Sequence, residues 1–321
     1  MKIEKLSPAF KDYLWGGVKL REVYGKKCAF DRVAESWELS THPAGQSTIS
    51  GGGFDGMAFG DYLKQAGPAA LGARCAKFQD FPVLIKFIDA KQPLSIQVHP
   101  SDEYAMEAEG EYGKTEMWYV MDCEPGATLY FGVNQEVGRE EFACRIEDNT
   151  LLEVLNKVDV HPGDVFFIES GTIHAIGGGI LICEIQQNSN CTYRVYDYGR
   201  LGVDGKPREL HVEKALAVSK LSPSDTSGKQ GPVKAVPGGS VQRLASCKYF
   251  ITHCYQVEGQ VELDVDGGSF ASIVVTQGAG AVSGPENTVP FAAGDSLFVP
   301  AGSGRVIVKG PCTAVVTTVG E

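Results

Sequence analysis

No run of about 18 apolar residues, the length a membrane-spanning helix needs, occurs anywhere in the 321 residues of this chain. The opening stretch MKIEKLSPAFKDYLWGG carries charges throughout and lacks an apolar core, so it does not read as a secretory leader. Cys-x-x-Cys pairs are missing as well. The nine cysteines are scattered, the nearest spacings being Cys183/Cys191 and Cys247/Cys254, and an odd count without a framework predicts free thiols in a reducing compartment. Positive charge is in deficit, with 29 Lys and Arg against 40 Asp and Glu and a net charge of -11. That balance argues against a general nucleic-acid binder or a ligand of anionic membranes, both of which need an extended positive surface. A small anionic substrate needs only a few local cations and stays open. The expectation is a cytoplasmic protein that engages neither nucleic acid nor membrane.

What the chain has is glycine, 39 residues of it, set among short apolar runs that total an ordinary 43% hydrophobic content. Short runs punctuated by turns predict a mainly β protein with a few short helices. Segments such as VLIKFIDA, LSIQVHP, EMWYVMDC, ATLYFGV and CTYRVYDYG read as strands. Helical spacing appears in 55–77, divided by Pro68, in 138–158, and in 208–220. The length predicts two domains. Residues 221–240, LSPSDTSGKQGPVKAVPGGS, are rich in Ser, Pro and Gly and read as a linker or long loop. We therefore expect one domain over 1–220 and a second, almost all strand and turn, over 241–321.

An internal repeat links the two. GDVFFIESGTIHAIGGG (163–179) and GDSLFVPAGSGRVIVKG (294–310) share Gly-Asp, an apolar strand, a glycine turn and a further strand. Gly171 matches Gly302, whereas His174 falls opposite Arg305. Two related β units are implied, only the first of which keeps an imidazole at that place.

In SIQVHP, Gln97 and His99 are two apart on a predicted strand, so their side chains share a face. Glu116 follows on what reads as a neighbouring strand, and His174 follows the Ser170-Gly171 turn. Four side chains able to ligate a metal therefore stand to converge in the first β unit. Imidazole suits Zn, Fe, Ni or Cu, carboxylate adds charge, and the absence of thiolates favours zinc.

The segment from Gly163 to His174 resembles the second cupin motif, with Glu169 where Pro is usual and Pro300 retained in the second copy. The first cupin motif has His-x-His where this chain has Gln97-x-His99. QVHP, GKTEMWYV, GTIHAIGGG, EIQQNSNCTYRVYD and GKPRELH, in that order, resemble the type I mannose-6-phosphate isomerases in their short bacterial form. The resemblance runs from Tyr13-Leu14-Trp15-Gly16-Gly17 to His211, with a weaker tail. It implies two cupin-like jelly-roll β-barrels, the C-terminal one degenerate and without metal, and a single Zn2+ held by Gln97, His99, Glu116 and His174. It implies a hexose 6-phosphate substrate, with mannose 6-phosphate and fructose 6-phosphate interconverted by proton transfer between C1 and C2 through an enediol. Monomer and homodimer are both open.

Such chemistry needs a stabiliser for a developing oxyanion, a base for the C–H proton and an anchor for the phosphate. Arg194, in CTYRVYD, matches the family's active-site arginine, with Arg200 as an alternative. Lys114 matches the lysine of the family's Lys-x-Glu segment and would lie beside the metal. Lys86, within VLIKFID, is a further cation in an apolar run. For the base, metal-bound water, Lys114, His99 and Asp197 all stay open. Ser189-Asn190 departs from the family's Ser-Asp. Two other readings remain: a cupin oxygenase, against which Gln97 in a histidine position argues, and a non-catalytic sugar-binding bicupin. GGGFDG (51–56) matches a dinucleotide-loop spacing, but no βαβ pattern surrounds it and it reads as a turn.

Overall fold

The computed structural model describes residues 1–201, 205–226 and 230–321. The chain is mainly β, as expected. It divides into two compact units, one of Met1–Asp12, Val18–Phe87 and Lys229–Glu321, the other of Tyr13–Gly17 and Ile88–Gly228. Among the described residues no helix is long and apolar enough to cross a membrane. All nine cysteines are free.

In the first unit an antiparallel sheet runs in the order Val233–Val236, Gly239–Ser246, Ile251–Val257, Cys312–Thr318, Ala271–Ser283, Ser296–Val299, Glu4–Ser7, Thr48–Ser50. Gln260–Val265 pairs with Gly304–Lys309, and its residues alternate exposed and buried along the strand. That period of two sends Val261, Leu263 and Val265 into a core with Ile273, Val275, Leu297 and Val306. The stretch 221–240 contains the strand Val233–Val236, which turns through Gly238 (φ 82°) into the next strand. Residues 227–229 of that stretch lie outside the described residues.

The second unit carries the order Val165–Ile168, Glu116–Cys123, Ile180–Gln187, and a separate sheet in the order Tyr193–Tyr196, Ile96–Val98, His174–Ala175, Thr128–Val133, Leu155–Asp159. Alternation divides the faces of the separate sheet. Ile96, Val98, Ile173, Ala175, Tyr193 and Val195 join a core with Phe142, Ile146 and Ala215, which come from the helices Arg139–Glu147 and Val212–Val218. The intervening residues Gln97, His174 and Arg194 face the other way.

All three helical readings shorten, 208–220 to Val212–Val218. Of 138–158, only Arg139–Glu147 is α-helix. Asn149 takes a left-handed conformation (φ 57°), a short 3-10 turn follows, and Leu155–Asp159 pairs as a strand with Thr128–Val133. Asn tolerates that conformation and ends the helix, and beyond it Leu151 fills the same core from the 3-10 turn and Leu155 from the strand. Of 55–77, only Phe59–Ala66 is α-helix, followed by 3-10 turns at Pro68–Ala70 and Ala73–Lys77. The repeat is visible in the backbone. Gly163 and Gly294 have φ of 94° and 95°, and Gly171 and Gly302 have 87° and 74°. Both glycine pairs thus occupy a region that side-chain-bearing residues avoid.

Candidate metal centre

Strand pairing sets the donors against one another. Gln97 lies directly opposite both His174 and Arg194, and opposed residues project on the same face. His99 ends the segment two residues beyond Gln97. Glu116 opens the strand Glu116–Cys123, opposite Gln186. His99, Glu116 and His174 are each fully buried, and one ligand atom from each lies within 4.8 Å of the others. His99 Nε2 is 3.4 Å from Glu116 Oε2, His174 Nε2 is 3.3 Å from Glu116 Oε1, and the two Nε2 atoms are 3.2 Å apart.

The tautomers follow from the outer partners. His99 Nδ1 donates to the Cys191 carbonyl at 2.9 Å, and His174 Nδ1 donates to the Thr172 carbonyl at 2.8 Å. A carbonyl only accepts, so each proton sits on Nδ1 and each Nε2 offers a lone pair to the centre. Burial pushes the His174 pKa down to about 4, keeping that ring neutral at physiological pH. Two lone pairs and a carboxylate therefore converge where a cation fits. Such an inward Nε2 with an outward Nδ1–H on a carbonyl is the arrangement metal-binding histidines use. The Gln97 amide nitrogen lies 3.4 Å from His174 Nε2, and half a turn about its last bond presents the oxygen there instead.

Lys114 reaches into this cluster. Its ammonium donates to His99 Nε2 at 3.0 Å and to Glu116 Oε2, and Glu184 Oε1 lies 3.6 Å away. A Cβ at the preceding Gly113 would stand 2.4 Å from the Ser101 carbonyl carbon, so only glycine lets the chain pass there. Glu184 was missed in the sequence reading. It is buried, lies opposite Trp118 in the register and accepts the Trp118 indole N–H at 2.8 Å. The signal was a lone carboxylate inside the apolar run ILICEI. The Trp118 ring meets that of His174 edge-on, with centroids 5.3 Å apart.

Arg194 is partly buried and donates to Ser95 Oγ at 3.3 Å and to the Glu209 carbonyl at 2.9 Å. Burial, then the neighbouring Arg208, holds its pKa below the ordinary arginine value. The other candidates are engaged elsewhere. Arg200 and Arg208 both donate to the Asp197 carboxylate, Arg208 through Nε at 2.7 Å. Burial works against ionisation of Asp197, yet Arg208 and Arg200 outweigh it and hold the carboxyl below its usual range. Lys86 stands 3.6 Å from Glu35 and over the Trp37 ring. At the Ser-Asn departure, the Asn190 backbone N–H bonds Glu111 at 2.6 Å, while Ser189 Oγ bonds the Tyr112 carbonyl at 2.8 Å.

A mainly β protein with buried His, Glu and His donors turned inward is a cupin-type candidate metal protein, and comparison with known proteins narrows the class. The model of the type I phosphomannose isomerase catalytic domain matches residues 3–123, and that of the mannose-6-phosphate isomerase cupin domain matches 240–319. The chain is 37% identical to mannose-6-phosphate isomerase ManA of Bacillus subtilis, covering 97% of this chain and 96% of that protein. It is 35% identical to the mannose-6-phosphate isomerase of Streptococcus mutans over 89% of each. The crystal structure of the mannose 6-phosphate isomerase from Bacillus subtilis superposes with a TM-score of 0.91 at 33% identity, covering 99% of each chain. The chain belongs to the type I mannose-6-phosphate isomerase family.

Proposed function

We propose that this protein interconverts mannose 6-phosphate and fructose 6-phosphate, and that one zinc ion is held by Gln97, His99, Glu116 and His174. The observation that carries the reading is the pair of neutral imidazoles whose Nε2 lone pairs meet a buried carboxylate. Nitrogen and oxygen donors without thiolate fit zinc in a site that keeps a position open. When bound, the ion supplies a Lewis acid that draws off charge developing on sugar oxygens.

The reaction removes a proton from C2 of the aldose, delivers one to C1 and moves the carbonyl from C1 to C2 through an enediol. Lys114 holds its proton at Nζ among the acceptors His99 and Glu116, where it can donate to a sugar oxygen as charge grows there. Glu184, fixed by the Trp118 indole, keeps that ammonium in place. Arg194 shares the sheet face of Gln97 and brings a permanent charge for an oxyanion or the phosphate. We read 241–321 as a second β domain without metal, because Arg305 in the place of His174 is exposed and paired with Glu262 at 2.7 Å. Nine free thiols accord with a reducing cytoplasm.

A coupled isomerase assay with mannose 6-phosphate, run before and after chelation and again with zinc restored, tests the reading. Activity is expected to vanish on chelation and return with zinc. A folded, zinc-loaded protein without turnover overturns it.

A further inference from the structure

Residues 1–5, 50–54, 62, 65–66 and 286–290 of the first unit line a cavity of about 690 Å³. The glycine turn of GGGFDG forms one wall. Gly51 and Gly52 have φ of 84° and 70°, and a Cβ at Gly51, Gly52 or Gly53 would meet nothing within 4 Å. The same turn carries Phe54, whose ring meets that of Tyr62 edge-on with centroids 5.3 Å apart. The turn that belongs to no dinucleotide fold therefore shapes a cavity.

Glu4 sits in this cavity. On the strand Glu4–Ser7, Glu4 and Leu6 share the buried face. Glu4 is 8% exposed, yet its carboxylate makes no hydrogen bond or ion pair with any described residue. Tyr62 is 3% exposed, and its hydroxyl likewise makes no hydrogen bond among the described residues. Around the cavity the Met1 amino group pairs with Glu286, and Lys5 pairs with Asp295 at 2.6 Å. Lys2, which also lines the cavity, is exposed, and its charge acts on Glu4 without a direct ion pair. The rest of the Glu4 side chain is shielded while the carboxylate oxygens open onto the cavity, so a ligand entering the cavity meets them without displacing a protein partner. The Glu4 carboxylate, bonded by no donor among the described residues, suits a ligand that brings both positive charge and N–H donors.

We propose that this cavity is a second binding site, for a small amphipathic primary amine. The ammonium donates to the Glu4 carboxylate and the Tyr62 hydroxyl, and the hydrocarbon part lies against Phe54 and Val289. The lining contains both kinds of partner, Glu4 and Tyr62 as acceptors and Phe54, Val289 and Pro290 as apolar surface. The site shares no residue with the donor set around His99 and stands independently of the isomerase reading.

The test uses the full, untagged chain and phenethylammonium as the probe, with 2-phenylethanol as its neutral counterpart, each titrated by ligand-observed NMR. Saturable millimolar binding of the amine is expected, and about tenfold weaker binding of the alcohol, because the charge-assisted bond is lost. Glu4→Gln is expected to weaken amine binding about tenfold and to leave the melting temperature equal or higher, since the buried charge is gone. Tyr62→Phe, a second variant, is expected to weaken binding about threefold. The proposal is overturned by absence of amine binding to the native chain, by equal binding of amine and alcohol, or by binding that neither variant alters. A lowered melting temperature in Glu4→Gln also overturns it, because Glu4 would then hold the fold rather than a ligand.

Discussion

The Nε2 atoms of His99 and His174 face each other at 3.2 Å, each ring having turned its Nδ1 hydrogen outward to a backbone carbonyl. Two acceptors at that distance cannot bond each other, so the protein holds them together only by fixing both rings from outside. The carbonyls of Cys191 and Thr172 do this, and Trp118 braces the His174 ring from the side. The Lys114 ammonium supplies one donor to the cluster. The remaining electron density is the part of the site that suits a metal ion.

His99→Ala removes one of three buried donors and the acceptor of Lys114. We expect zinc retained after dialysis to fall at least about 100-fold in affinity, with isomerase activity falling alongside, since loss of a ligand costs more than the ten- to hundredfold loss of its supporting partner. Metal analysis by mass spectrometry, with circular dichroism as a fold control, checks it.

Acid destabilises the metal-free protein through His174. Its folded pKa of about 4 lies below the ordinary 6.5 because burial disfavours the imidazolium. The unfolded chain thus takes up the proton at higher pH than the folded chain. The stability tied to the neutral ring is complete above pH 6.5 and is lost as pH falls toward 4, a loss on the order of 3 kcal/mol. Urea unfolding of chelated protein at pH 7 and pH 4.5 should show it, and His174→Asn should flatten the difference.

Lys114→Met keeps the length of the side chain and deletes its charge. If the ammonium serves proton transfer, kcat falls about 10²- to 10⁴-fold while zinc content stays near one per chain. Equal loss of zinc and of activity would instead assign Lys114 to metal retention.

Arg194→Lys retains the charge and loses the planar fork that bonds Ser95 and Glu209. We expect kcat/KM for mannose 6-phosphate to drop about tenfold or more, with zinc content and melting temperature unchanged, because one ammonium does not reproduce two fixed donors. Steady-state kinetics on the metal-replete variant is the measurement.

Much of this is legible in the sequence. Gln97 and His99 share a face because a strand repeats every two residues, and His174 was reached through the repeat that ends in the Gly171 turn. The register adds that Gln97 lies opposite both His174 and Arg194, a pairing between segments about 80 to 100 residues apart that no local pattern encodes. Leu151, Leu152 and Leu155 looked helical because a leucine-rich run suits helix and strand alike. The core they fill is the same; the left-handed Asn149 ends the helix before them, Leu151 and Leu152 fall in a 3-10 turn, and only Leu155 enters the strand paired with Thr128–Val133.

The sequence by itself determined the β character, the fixed spacing of the donors along their strands, the glycine turns and the family. Those depend on short-range periodicity and on residue types that occur together in order. Only the tertiary structure decided the protonation of the imidazoles, the place of Lys114 between His99 and Glu116, the engagement of Asp197 by Arg200 and Arg208, and the unbonded carboxylate of Glu4. Each of these depends on which distant backbone carbonyl, carboxylate or cavity lies within a few ångströms, and on burial, which turns a small separation into a large electrostatic difference.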